Sequence, residues 1–403
     1  KRIVLYSLLF TSLLSVSAYA GTDDETAYAL NTLLFLISGF LVMLMAAGFC
    51  MLESGMVTSK SVSTIAAKNI GLYSIAGLMF WVIGYNVAYG IPEGGYIGSF
   101  TPWSDASAIE TGYSDGSDWW FQMVFCATTV SIVSGTLAER IKIWPFFLFA
   151  AILTGVIYPI EMGWQWGGGW LSAAGFSDFA GSTLVHAAGG AAALAGAIVL
   201  GPRLGRFSNG KLVPFASSSI PLATLGTFIL WFGWFGFNGG SQLALAGFEN
   251  ATAVATIYIN TNLAACAGVM TCAVITRLVN GKTDVIMMLN GALGGLVAIT
   301  AEPLTPTPIM AIIIGAIGGI IVILGTQALN KLQIDDVVGA IPVHLFAGIW
   351  GTLAVPLTNS GTSFGPQLLG TASICAFVFV VSFIVWSIMK ATIGIRISEE
   401  AEK

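Results

Sequence analysis

Two histidines are the only imidazoles in 403 residues, and both stand in apolar sequence. The first closes Asp178-Phe-Ala-Gly-Ser-Thr-Leu-Val-His186, and the second ends Val343-His344. Gly190 and Gly348 follow them, so Val-His-x-x-x-Gly occurs twice. An ionisable ring inside a membrane-length helix is expensive, and its recurrence in one context marks a functional pair. Imidazoles facing a bundle interior suit a metal, a haem, a proton relay or the lining of a polar path. A metal wants three or four ligands, and no acid or cysteine lies at ligand spacing from either histidine. Bis-histidine haem ligation is geometrically open, but the small residues nearby read as a tightly packed lumen. A ring satisfied by a neighbouring carbonyl, with no further role, is the plain alternative. The reading adopted is a polar element in an apolar conduit, with no metal, no cofactor and no enzymatic chemistry.

Aromatic and small polar residues gather where such a conduit would open. Phe121 and Phe125 are one helical turn apart. Trp164 and Trp166 precede Gly167-Gly-Gly169, and Phe235 and Phe237 precede Asn238-Gly-Gly-Ser241. Aromatic faces attract cations, tryptophan most strongly. A serine hydroxyl can accept a hydrogen bond from a bound cation. Asp178 is the one obvious carboxylate near that mouth, and it equally reads as a helix cap. Trp119 and Trp120 read as interfacial anchors. The five cysteines lie in apolar stretches and read as small buried residues.

The elements that must hold these groups are helices in a membrane. Hydrophobic residues make up 56% of the chain, charged residues 9%, and mean hydropathy is +0.86. That is the composition of an all-α polytopic membrane protein, and alternating barrel strands are absent. A net charge of −5 argues against a nucleic-acid partner. Residues 1–20 read as a cleavable signal, with Lys1-Arg2, an apolar run and Ala18-Tyr-Ala20. About eleven stretches near the ~20 residues needed to span a bilayer follow. They lie near 30–52, 68–90, 118–138, 142–162, 178–200, 217–240, 252–276, 284–301, 307–328, 338–356 and 369–393. With the N-terminus outside, every Lys and Arg beyond residue 20 falls on the inner side, Lys60, Arg140, Arg203, Arg277, Lys331 and Arg396 among them. The outer loops carry acids and no base, so the positive-inside rule supports this orientation and a cytoplasmic C-terminus. The histidines fall on the fifth and tenth stretches. That spacing reads as two inverted five-helix repeats plus a last helix, with the working site where the halves meet. Gly315, Gly318 and Gly319 read as packing positions. The membrane domain is expected over 21–396, with 397–403 starting a cytoplasmic tail.

Several segments carry a resemblance. They are Ala47-Gly-Phe-Cys-Met-Leu-Glu-Ser-Gly55 with Lys68-Asn69, Ser134-Gly-Thr-Leu-Ala-Glu-Arg140 and Trp166-Gly-Gly-Gly-Trp170. Further along come Asp178 to His186, Gly233-Trp-Phe-Gly-Phe-Asn-Gly-Gly-Ser241, Asp335-Asp336 with Val343-His344, and Gly348-Ile-Trp-Gly-Thr352. Together they resemble the ammonium transporter family, the Amt/Mep/Rh proteins, in the right order over essentially the whole mature chain. The resemblance implies an eleven-span homotrimer in the plasma (inner) membrane, with one path per protomer. It assigns an outer ammonium site to Phe121, Phe125, Trp166 and Ser241, with Asp178 acting nearby. It assigns a phenyl gate to Phe125 and Phe237, and a paired-histidine lumen to His186 and His344. The family often has an aspartate before the second histidine and a glycine after it, where this chain has Gly339 and Leu345.

Physics favours deprotonation in such a path. Ammonium resembles potassium in size and charge, but only ammonium can cross a dry lumen after giving up a proton. Two functions follow from the resemblance. One is transport of ammonium or ammonia. The other is an ammonium receptor that uses the same site to signal to a cytoplasmic domain beyond Lys403. A cytoplasmic nitrogen-status signalling protein is the further partner it implies.

Overall fold

The computed structural model describes residues 23–106 and 109–403, and the expected signal at residues 1–20 lies outside them. Helices carry the fold. In chain order they are α1 (Asp24–Met56), α2 (Ser59–Tyr89), α3 (Asp115–Thr136), α4 (Ile143–Gly163), α5 (Ser182–Leu200) and α6 (Ile220–Gly240). Then come α7 (Phe248–Asn280), α8 (Val285–Ile299), α9 (Pro308–Lys331), α10 (Ile341–Leu357) and α11 (Phe364–Thr392). Among the described residues, eight of these are long and apolar enough to cross a membrane, and α8 and α10 are shorter apolar helices. α3 is buried over nearly its whole length. Each apolar stretch read from the sequence overlaps one helix, with most ends shifted by a few residues and the start of α2 lying at Ser59 rather than near 68.

Local chemistry sets the starts. Asp23, Ser219, Asp284 and Thr307 each accept a hydrogen bond from a backbone N–H in the first turn of α1, α6, α8 and α9. Pro221 and Pro308 sit in first turns that need no donor. Small residues then set the packing. A Cβ on Gly226 of α6 would lie 2.3 Å from Leu52 N of α1, and one on Gly268 of α7 would lie 2.0 Å from Gly291 O of α8. Gly315 of α9 would strike Ala264 O at 2.2 Å, in line with its reading as a packing position. Such contacts bring helix backbones together where lipid supplies no hydrophobic drive.

Four helical stretches loosen to π turns: Phe80–Gly84, Leu153–Ile157, Ser182–Ala187 and Ile341–Phe346. Two of these open α5 and α10, the helices that carry the histidines. π turns cluster at functional positions because they redirect side chains.

The face that carries the basic residues is tied by an ion network. Arg203 donates to both oxygens of Asp335, at 2.8 and 2.9 Å, and also pairs with Glu139. Glu139 holds φ +70 and accepts from the backbone N–H and hydroxyl of Thr58. Arg140 is fully buried and donates to the carbonyls of Thr136, Ala138, Gly201 and Asp335. Burial pushes the Asp335 carboxyl up. The hydrogen bonds from Arg203 and the charges of Arg140 and Arg203 outweigh it and hold the group at about 2.

That folded value lies below the ordinary aspartate value, so the contribution is complete above roughly pH 4 and lost as pH falls through about 2. Asp335→Ala would strand Arg203 and Arg140 without their anion. We expect a loss of about 3–5 kcal/mol, read as a lowered Tm in detergent, with the gap to wild type closing toward pH 2.

Candidate functional site

The histidine pair is built from two matching starts. Asp178 is fully buried and its carboxylate accepts four backbone N–H groups: Gly181 and Ser182 at 3.0 and 2.8 Å, Thr183 and Leu184 at 2.7 and 2.9 Å. These are orphan donors of the first turn of α5. Gly181 adopts φ +104, and a Cβ there would strike Val185 Cγ2 at 2.7 Å. Asp336 does the same for α10, accepting from Ile341 N at 2.7 Å and from Thr136 Oγ1 at 2.9 Å. Gly339 adopts φ +80. The two units therefore share a register, Asp178–Gly181–His186 and Asp336–Gly339–His344. Gly339 is the counterpart of Gly181, and Asp336 takes the aspartate's place in the second unit. Leu345 fills the contact opposite Gly190, whose added Cβ would lie 2.7 Å from Leu345 Cβ.

These starts bring the rings together. His186 Nδ1 lies 3.1 Å from His344 Nδ1, with ring centroids 5.2 Å apart. One Nδ1 must donate and the other accept, so the pair shares one proton and holds opposite tautomers. His186 Nε2 has no hydrogen-bond partner among the described residues. Trp234 stacks on His186 at 4.8 Å and is anchored by Nε1 donating to Thr300 Oγ1 at 2.8 Å.

Above the pair, Phe125 and Phe237 stack with centroids 4.0 Å apart and an interplanar angle of 24°. Both are buried, and Phe237 reaches within 5.2 Å of His186. Beyond the stack is a cavity of about 280 Å³. Phe121, Phe125, Trp166 and Ser241 line it, so the structure brings these four expected residues together. Phe121 packs on Phe125 at 4.7 Å, and Trp166 meets Phe125 edge-on at 5.9 Å. Ser241 spends its proton on Phe237 O at 2.8 Å, which leaves its lone pairs for a guest. Asp178 does not line the cavity. It touches it indirectly, because Trp166 Nε1 donates to Asp178 O at 2.9 Å.

Sequence reasoning missed three carboxylates here. Asp118 lines the mouth cavity beside Tyr85, Tyr89 and Tyr113. It is 8% exposed and accepts from Tyr85 Oη at 2.5 Å and Gln122 Nε2 at 3.2 Å. It stands one turn before Phe121, a spacing that puts both on one helix face. Asp336 stood in the quoted Asp335-Asp336 pair, and the repeated register makes its role legible. Glu53, on the far side of the histidines, stood in the quoted Ala47–Gly55 segment, but its spacing pointed to no role. It lines a void of about 10 Å³ together with His344, Phe49, Ser131 and Asn290. That is about the least space that holds one water-sized molecule.

A multi-pass bundle of apolar helices thus sets an aromatic cavity, a stacked ring pair and two buried imidazoles next to one another, an arrangement suited to a conduit. Residues 33–403 match the Ammonium Transporter Family. The chain is 42% identical to the ammonium transporter Amt2 of Archaeoglobus fulgidus, over 91% of this chain and 84% of that one. It superimposes on a structure described as a sensor Amt protein with a TM-score of 0.90 at 34% identity, covering 94% of this chain and 98% of that one. It also superimposes on Mep2 of Candida albicans with a TM-score of 0.84 at 27% identity, covering 94% and 89%. The chain belongs to the ammonium transporter family.

The register makes a test of the departure at residue 339. A side chain at Gly339 would face a left-handed backbone and Asn290 Nδ2 at 2.4 Å. Gly339→Asp is therefore expected to lower Tm and the monodisperse fraction on size exclusion. Gly339→Ala should do so less.

Proposed function

We propose that the chain moves ammonium nitrogen across the plasma (inner) membrane by recruiting the cation, removing its proton and passing ammonia. The observation that carries this reading is the single line of groups from Asp118 and Trp166, through the Phe125–Phe237 stack, to His186 and His344. In this reading the chain crosses eleven times as two inverted repeats and a last helix, with its N-terminus outside and its C-terminus cytoplasmic, and assembles as a homotrimer. Asp118 raises the local cation concentration at the mouth. The faces of Phe121, Phe125 and Trp166 and the Ser241 hydroxyl hold ammonium there. Asp178 acts at one remove, by fixing Trp166 and the start of α5.

The stack and the imidazole pair then supply selectivity. A charge at the bilayer centre costs at least about 2.5–3.5 kcal/mol, so potassium, which cannot shed its charge, is held back. Ammonia is small, neutral and able to hydrogen-bond to the free His186 Nε2. A shared Nδ1 proton keeps both rings neutral, so the lumen itself offers the guest no fixed charge.

The likeness to a protein described as a sensor favours a second reading, in which the same mouth binds ammonium and the closed stack admits no flux. A tail beyond Lys403 would then relay occupancy to a fused domain or a nitrogen-status signalling protein.

Uptake into proteoliposomes separates the two. Because the proton stays outside and ammonia crosses, an ammonium pulse should raise internal pH and internal nitrogen faster than in protein-free vesicles, and a potassium pulse should do neither. Ser241→Ala and Asp118→Asn should each raise the half-saturating ammonium concentration, about tenfold for the loss of one charge-assisted contact. His186→Ala should lower the uptake rate. Saturable ammonium binding with no uptake above protein-free vesicles would decide for the receptor.

A further inference from the structure

The void below His344 holds an acid that no step so far uses. Glu53 sits near the end of α1 and is 1% exposed. Its Oε2 is committed, accepting from Ser134 Oγ at 2.7 Å and Asn69 Nδ2 at 3.2 Å. Its Oε1 is buried with no hydrogen-bond partner among the described residues. A buried acceptor left unmatched is rare in folded proteins and calls for a ligand or a proton. Glu53 and His344 line the same void. A guest that has passed the histidine rings therefore arrives beside this oxygen.

We propose that Glu53 is the acid of an inner chamber, binding ammonia below His344 and returning a proton to it before it leaves. With Oε2 occupied by two donors, the carboxyl proton resides on Oε1 and points to the guest. In the transfer the Oε1–H bond breaks and an N–H bond forms on the nitrogen lone pair. Ammonium departs with the charge, a carboxylate remains, and a proton from water on that face restores the acid. The charged groups that face Glu53 fit this assignment. On α2, Lys68 is fully buried with its Nζ donating to Ser134 O at 2.6 Å, so Ser134 joins the ammonium group and the carboxylate. A cation held there stabilises the anion left by the transfer. Ser134 and Asn69 continue to donate to it, so the carboxylate never lacks partners. On α10 the facing group is His344, a hydrogen-bond partner of His186 and no source of fixed charge.

This inference rests on the transport reading, and one experiment distinguishes the two failures. Rates of ammonium-nitrogen uptake are compared for wild type, Ser241→Ala, Glu53→Gln and Glu53→Asp in the same proteoliposomes. Glu53→Gln keeps the shape and an acceptor but cannot deliver a proton. It should cut the maximal uptake rate at least tenfold and leave the half-saturating concentration unchanged, while Ser241→Ala does the reverse. Glu53→Asp should recover part of the rate. A wild type without uptake above protein-free vesicles overturns transport itself. A Glu53→Gln protein that takes up nitrogen like wild type overturns only the role of Glu53. Should Glu53→Gln fail to fold, a high-resolution structure of the wild type in ammonium chloride decides. Density within hydrogen-bonding distance of Oε1 supports the chamber, and an empty void overturns it.

Discussion

The bond between His186 Nδ1 and His344 Nδ1 constrains everything around it. At 3.1 Å it is satisfied only if one ring donates and the other accepts. The pair is then neutral as a unit, and the nitrogens turned away from the bond must differ in protonation. To bring the rings together, α5 and α10 must enter at matching heights. Each does so through an aspartate that gathers free backbone N–H groups and a glycine in the left-handed region. The π turns that follow rotate the histidines toward each other. Close passage of small residues keeps the surrounding helices near enough to exclude water, and a bulkier residue at Gly190 would push Leu345 away from α5. A single imidazole contact thus accounts for two caps, two strained glycines and two departures from α-helical geometry.

Much of this was legible in the sequence because a membrane restricts the solutions. Apolar runs can only become helices there, so Ile220–Gly240 and Phe364–Thr392 could be placed from hydropathy and flanking signals. The duplicated Val-His context predicted a pair, and the rings do meet. Helix-end positions gathered Phe121, Phe125, Trp166 and Ser241 with other aromatics such as Trp164 and Phe235, and the family resemblance singled out these four. What was not legible depends on register across helices. Asp118 read as one more acid of an outer segment, because sequence does not say which face of α3 looks into the mouth. Gly339 read as a missing aspartate until the backbone showed that its φ of +80 is what the position demands. Asp178 read as an acid acting near the mouth as readily as a cap. Its four backbone donors leave that carboxylate no capacity for a guest.

Carboxylates along the path divide by what their oxygens already do. Asp178 and Asp336 are turned to the backbone and set geometry. Asp118 is held by Tyr85 and Gln122 with lone pairs to spare, at an open cavity. Glu53 is saturated on one oxygen and bare on the other, beside a void of about 10 Å³. Residue type alone would treat all four as equivalent. Hydrogen-bond capacity separates scaffolding acids from acids that can still meet a substrate.

That distribution carries a consequence for how charge could cross. Between Asp118 and Glu53 lie the Phe125–Phe237 stack and two imidazoles that share one proton, and none of these four rings carries a fixed charge. A cation moving through this stretch would lose hydration and gain no counter-charge, which is the costly case for any ion in a low-dielectric interior. A neutral guest loses little, because the buried His186 Nε2, without a partner among the described residues, offers it a hydrogen bond. Acids at the two ends and neutral groups in the middle therefore impose an order. Charge is favoured outside the stack, disfavoured at the imidazoles, and favoured again only where a carboxyl can create or hold it. In the proposed path, selection against potassium needs no fine discrimination of size, because it rests on where the carboxylates are and where they are not.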